Sequence, residues 1–183
     1  FYAQRLGSRE AVLARRARVG RGPRAAPLGA VVSVFRRGGG DPTSRRDHDA
    51  WWFGWLTPDG AVTLRLSVSA AAGEVAAQAW GAGSGWALEK VPDLVGERDD
   101  PTGFEPLHAP VGEAWRVFPG WRVPRSGLVL QALVPSVIEQ KVTGQEAFSG
   151  YRRLVTRFGE PAPGPGSDLG LRVPPTAAGW AGI

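Results

Sequence analysis

LVPSVIEQKVTGQEAFSGYRRLVTRFG, residues 133–159, carries apolar side chains at helical spacing until Glu139-Gln140-Lys141 interrupts them. Just beyond, Thr143-Gly144-Gln145-Glu146 fits a capping box, in which the Thr hydroxyl accepts a first-turn amide proton and the Glu carboxylate accepts the Thr N–H. The spacing therefore predicts two helices, roughly 127–141 and 144–158, joined with almost no loop. In the second, Ala147, Phe148, Tyr151, Leu154, Val155 and Phe158 share one face, and Arg152, Arg153 and Arg157 lie on the other side or its flanks. Gly159 ends that helix, and the Pro161–Pro165 run prevents its continuation. In the first, Leu128, Leu130, Ala132, Leu133, Val134, Val137 and Ile138 are apolar nearly all round, the pattern of a central, buried helix. Pro135 inside it predicts a kink or one lost backbone hydrogen bond. The polar cluster at 139–141 then occupies a tight corner, where the free amides of a helix N-terminus suit a phosphate. The plainer alternative is that Glu139, Gln140 and Lys141 solvate a helix end, and periodicity alone does not decide between the two.

The N-terminal half reads differently. Trp51–Leu56 is followed by Thr57-Pro58-Asp59-Gly60 and then AVTLRLSVS. Pro, Asp and Gly supply the fixed φ, the local side-chain hydrogen bond and the positive φ of a tight turn. Val62, Leu64, Leu66 and Val68 alternate strictly with Thr63, Arg65 and Ser67, which predicts a β-hairpin with one buried face. Ala71-Ala72-Gly73-Glu74 marks a second turn and Val75–Trp80 a third strand, broken by the GAGSG run at 81–85. Upstream, LGAVVSVFRR at 28–37 is a short strand or helix stopped by Gly38-Gly39-Gly40. Downstream, Trp86–Val95 has helical spacing, ERDDPTGFEP is a loop, and Val111–Phe118 is a short helix. Strands followed by helices make an α+β chain. The expected division is an Arg-rich, disordered extension at 1–27, a β-rich domain at 28–110 and a helical domain from 111 to 183.

Composition narrows the chemistry. The 183 residues include no cysteine, so disulfides and thiolate metal sites are excluded, and His48 and His108 are the two histidines. No apolar run approaches the ~20 residues of a membrane span, and no secretory segment follows the N-terminus, so a soluble, intracellular protein is expected. The net charge of +5 is uneven: residues 1–46 hold 11 Arg against Glu10 and Asp41, a balance of +9, while residues 47–183 sum to −4. A basic arm can grip phosphates, or it can be a poorly specified tail. Twenty of the 22 basic residues are Arg and the chain lacks Met, which suggests a GC-rich genome and a sequence that does not start at its initiation codon.

The run LVPSVIEQKVTGQEA with the trailing YRRLVTRFG resembles the first helical pair of the helix-hairpin-helix DNA glycosylase superfamily, most of all its bacterial 3-methyladenine DNA glycosylase II branch. There an apolar helix leads into a Gln-X-Val-Ser/Thr corner, matched by Gln140-Lys141-Val142-Thr143, and the next helix ends on an aromatic-Gly pair, matched by Phe158-Gly159. LRVPPTAAGWAGI at 171–183 resembles the Pro-Thr helix that precedes the family's hairpin. GGGDPT, TPDGAVTLRL and the Ala-Trp-Gly at 79–81 resemble parts of its N-terminal β domain. The likeness covers roughly residues 28–183.

It implies an N-terminal antiparallel β-sheet domain followed by the first helices of an all-α glycosylase domain, acting in base excision. Such enzymes flip a damaged base out of the duplex and hydrolyse its N-glycosidic bond. By the same likeness Gln140, Lys141 and Thr143 are the DNA-binding residues, with Gln140 and Lys141 filling the gap the base leaves; Lys141 departs from the apolar wedge usual there and suits a phosphate or minor-groove contact. No cofactor and no metal are implied. The implied partner is double-stranded DNA with alkylated bases, bound by a monomer in the bacterial cytoplasm at the nucleoid. The family's glycine-rich hairpin and catalytic Asp are expected beyond Ile183, so no catalytic residue is assigned here; Asp168 has no hairpin before it. Trp51, Trp52 and Trp55 either line a pocket that stacks an electron-poor base or pack the hairpin core. Two readings compete with this one: a non-catalytic, damage-sensing DNA-binding relative, and a globular α+β module with no nucleic-acid partner.

Overall fold

A computed structural model describes residues 2–3, 13–18, 28–48, 50–69 and 74–183, and its architecture is α+β. The hairpin at its centre pairs β4 (Ala50–Thr57) with β5 (Gly60–Ser69). Thr57 latches the turn: its hydroxyl accepts the Asp59 N–H at 3.2 Å and donates to the Gly60 carbonyl at 2.8 Å. Gly60 has φ +121°, a value a side chain resists, so the Pro-Asp-Gly signal had a conformational cause. β6 (Glu74–Trp80) pairs with β5, and β3 (Ser44–Asp47) with β4, each antiparallel. The second predicted turn, at 71–74, lies for the most part outside the described residues.

Beyond β6 the sheet continues through β2 (Leu13–Arg18) to β1 (Tyr2–Ala3), giving the order β1-β2-β6-β5-β4-β3. β2 runs from Leu13 opposite Ala79 to Arg18 opposite Glu74. Composition pointed to disorder across 1–27, yet eight of those residues, Tyr2–Ala3 and Leu13–Arg18, extend the sheet. The free edge of β6 offers backbone partners, which no tally of Arg and Gly registers. The rest of that segment lies outside the described residues.

One sheet face holds the core. Trp51, Phe53 and Trp55 of β4 stand opposite Leu66, Leu64 and Val62 of β5, and all six are buried. Phe53 stacks with Trp51 at 6.3 Å and tilts against Trp55 at 4.7 Å between ring centroids, while Phe35 meets both Phe53 and Trp55 edge-on. Over them lie α1 (Leu28–Val32), which runs into a 3-10 turn at Ser33–Phe35, then α2 (Ser84–Glu89) and α3 (Val91–Leu94). The helix expected over 86–95 is thus two. Pro92 has no N–H to donate back to the Leu88 carbonyl, and the chain turns at Lys90.

The second face corrects the expectation of a hairpin buried on one side. Thr63 is fully buried and Ser67 nearly so. The cover of Thr63 comes from residues 161–173: β7 (Glu160–Pro161) and β8 (Arg172–Val173) pair with each other, with α7 (Pro165–Asp168) between them. Ala162, Leu171 and Val173 pack against Trp52, Leu56 and Ala61, and the Thr63 hydroxyl donates to the Pro163 carbonyl at 2.6 Å. Gly54, in mid-strand, lets this layer close: a Cβ there would stand 2.6 Å from the Arg172 carbonyl oxygen.

α4 (Ala109–Val117), α5 (Val129–Ile138), α6 (Gly144–Phe158) and α8 (Ala177–Ala181) complete the chain. α5 departs from the buried helix its sequence predicts. Val129, Leu133 and Val137 are 74%, 51% and 61% exposed, and Pro135 is its buried residue. Among the described residues no helix is long and apolar enough to cross a membrane.

Candidate nucleic-acid interface

The corner between α5 and α6 is set by how the two helices end. α5 stops at Ile138 rather than 141, leaving carbonyls without helical partners. Gln140 supplies two donors: its backbone N–H bonds the Val137 carbonyl at 3.2 Å and its Nε2 the Ser136 carbonyl at 2.9 Å. On the far side Thr143 caps α6, accepting the Glu146 N–H at 3.3 Å while its own N–H donates to Glu146 Oε2 at 3.0 Å. The predicted capping box is present, and the Thr143 hydroxyl and amide hold the Glu146 carboxyl below its ordinary range. Gln140 and Thr143 therefore have a structural task before any other.

Lys141 is the exception. It is exposed, its ammonium has no hydrogen-bond or ion-pair partner among the described residues, and its φ is +58°. Left-handed backbone places Cβ against the carbonyl and costs an L-residue about 1–2 kcal/mol, which is why Gly or Asn usually takes such a position. Two capped helix ends hold the residue there from both sides. Val142, 48% exposed, forms an apolar tip beside it, a residue that sequence reading passed over although the Gln-Lys-Val-Thr run contains it.

α6 fixes where the corner points. Its buried side, Ala147, Tyr151 and Val155, faces inward. Tyr151 stacks with Trp180 of α8 at 6.5 Å, and Ile138 of α5 comes close to Gly150. Arg172 of β8 bonds the last carbonyls of α6, Val155 at 3.2 Å and Gly159 at 2.7 Å, and its backbone N–H donates to Pro42 at 2.8 Å. The helix is thereby tied to the sheet. The outer side carries Arg153 and Arg157, exposed and without a carboxylate partner among the described residues; Arg157 lies over the Phe158 ring at 5.1 Å.

Burial pushes the Tyr151 hydroxyl well above the ordinary phenol range, and the nearby Asp41 carboxylate adds to the rise. A raised folded-state value means stability is fully present below the unfolded pKa near 10 and falls as pH rises above it. The slope from this one group is about 1.4 kcal/mol per pH unit. Denaturant unfolding followed between pH 9 and ~11.5 is expected to show that slope, and Tyr151→Phe to remove it.

The other sequence candidates fall elsewhere. Trp51 and Trp55 are core residues, while Trp52 stacks on Trp80 at 5.6 Å on the opposite face, with Arg65 above it. The three therefore form no common pocket. His48 occupies the exposed β3–β4 turn, His108 precedes α4, and Asp168 is exposed at the end of α7. No protein-family model matches this sequence, and no curated protein matches it.

Proposed function

We propose that the corner at residues 140–143 probes the base stack of double-stranded DNA in the excision of alkylated bases of the 3-methyladenine kind, by a glycosylase of the helix-hairpin-helix type. The observation that carries this reading is Lys141, a cation kept in left-handed backbone on an exposed tip between two capped helices. Strain of this sort persists where the surroundings over-determine it, and it clusters at sites that must present a side chain. The tip is chemically suited to DNA. Duplex DNA carries one negative charge per ~1.7 Å of axis, and the Lys141 ammonium lies on the corner without a carboxylate to neutralise it, while Arg153 and Arg157 extend an unneutralised basic face further along α6, about 15 and 21 Å from Thr143.

When a base leaves the stack, the opposite base loses its partner and the neighbours lose contact. Val142 offers apolar surface to those neighbours. Gln140 can exchange its bond to the Ser136 carbonyl for one to the widowed base, a trade of similar bonds worth about 1 kcal/mol each. Lys141 reaches a backbone phosphate or the minor-groove edge. Hydrolysis of the glycosidic bond belongs to the whole enzyme of that type, and no carboxylate of this sequence is assigned to it.

Fluorescence anisotropy with two duplexes of one sequence, intact and carrying an abasic-site analogue, tests the proposal. Tighter binding of the abasic duplex by about tenfold or more is expected, with log affinity falling steeply against log salt. Equal, salt-insensitive affinity for both duplexes would overturn it.

A further inference from the structure

A second basic site lies apart from the corner, on the sheet side of α6. The loop Gly38–Thr43, strand β3 and the turn at 169–171 enclose an open cleft of about 660 Å³ whose wall includes Arg36, Arg45, Arg46 and His48. The loop is wound round Asp41. Its carboxylate accepts the N–H groups of Arg37 and Thr43, both at 2.8 Å, and the hydroxyls of Thr43 and Ser44 at 2.7 and 3.0 Å. Asp41 is buried in the cleft lining and its oxygens are taken up by the loop, so it makes no ion pair with the wall arginines, although its charge remains in the cleft. Among the described residues, Asp47 is a further acid nearby and sits 3.8 Å from His48.

The guanidinium groups are positioned without being neutralised. Arg36 Nη2 donates to the Gly39 carbonyl at 2.9 Å, Arg45 Nη1 to the Leu169 carbonyl at 2.9 Å, and Arg46 lies over the Trp51 ring at 5.9 Å. Among the described residues none of the three is paired with a carboxylate. Arg36 Nε is buried and has no acceptor, a donor left open at a cost of about 1–3 kcal/mol. Each guanidinium has five N–H donors, so most remain available on side chains already held in place. Fixed, unneutralised forks of this kind match the paired oxygens of a phosphate.

We propose that this cleft binds a backbone phosphodiester of the same duplex whose base stack the corner probes, an inference that rests on the corner reading. Arg152 of α6 relates the two sites, because its guanidinium abuts Gly40 at the lip of the cleft. Nine residues separate it from Thr143, which at 1.5 Å per residue is about 14 Å along the helix. One DNA strand advances 3.4 Å per nucleotide, so the cleft meets a phosphate about four steps from the probed position. The sheet then becomes part of the DNA footprint rather than a support for the helices.

The test measures duplex affinity across salt concentrations for the whole chain and for Arg45→Gln and Arg46→Gln, alone and together, with circular dichroism reporting the fold. The double variant is expected to lower the slope of log affinity against log salt by about 1. It should weaken the intact and abasic duplexes alike, leaving their affinity ratio unchanged. An unchanged slope in a folded double variant overturns the proposal. So does saturation of the cleft by inorganic phosphate or a mononucleotide at concentrations that leave duplex affinity untouched, which would assign the cleft to a free phosphate. The two sites fail separately: a wild-type affinity ratio of one, with the slope effect intact, sinks the corner and leaves the cleft.

Discussion

Gly54→Ala is expected to lower folding stability by ~2–3 kcal/mol, at the upper end of what one added methyl does in a packed core. The cause is specific. The new Cβ would stand 2.6 Å from the Arg172 carbonyl oxygen and 3.2 Å from the Ala162 Cβ, and the first of these is backbone that no rotamer change can move aside. Yet the Gly54 N–H already donates to the Thr43 carbonyl at 2.8 Å and the Arg172 N–H to the Pro42 carbonyl at 2.8 Å, so the strand, loop and covering layer cannot easily drift apart. A matched substitution should have the opposite sign. Gly85 in α2 has nothing within 4 Å of its virtual Cβ, and there Ala is a better helix former by up to ~1 kcal/mol. Urea unfolding of both variants measures the difference. Equal effects would mean that residues 161–173 do not pack on the sheet as described.

The same layer explains what local sequence patterns could and could not disclose. Thr57-Pro58-Asp59-Gly60 forces its turn within four residues, and Thr143 to Glu146 closes its box within four, so both were legible: every atom involved lies inside the window being read. Thr63 was not. Polar residues alternating with Val and Leu signal a wet face unless something covers it, and the cover arrives a hundred residues later through Pro163. The apolar pattern of α5 failed in the other direction. All-round hydrophobicity says that a helix has surface to bury, whereas in this structure Val129, Leu133 and Val137 stay exposed. At the candidate site, sequence located the corner and its capping residues, but not the division of labour among them. Gln140 and Thr143 complete helix ends, and only backbone geometry distinguishes Lys141. A left-handed Lys has no residue-type signature, since the types that announce the conformation are Gly and Asn.

That conformation makes the corner open to a two-sided experiment. Lys141→Gly removes both the side chain and the Cβ that resists φ +58°, so it is expected to stabilise the fold by ~1 kcal/mol. Lys141→Ala keeps the Cβ and its strain, and should leave stability within about 0.5 kcal/mol of wild type. If the ammonium serves only to solvate a helix end, neither substitution alters DNA binding. If it contacts DNA at the probed gap, both reduce the preference for an abasic over an intact duplex, by about tenfold when combined with Gln140→Ala, equivalent to ~1.4 kcal/mol. The Gly variant would then be more stable and less discriminating, the pairing expected where strain is kept for function rather than for folding. Unfolding curves and anisotropy titrations on the same preparations read both quantities. A Gly variant that gains stability while keeping its full abasic preference would remove Lys141 from the interface and leave Val142 and the Arg153–Arg157 face to account for any binding.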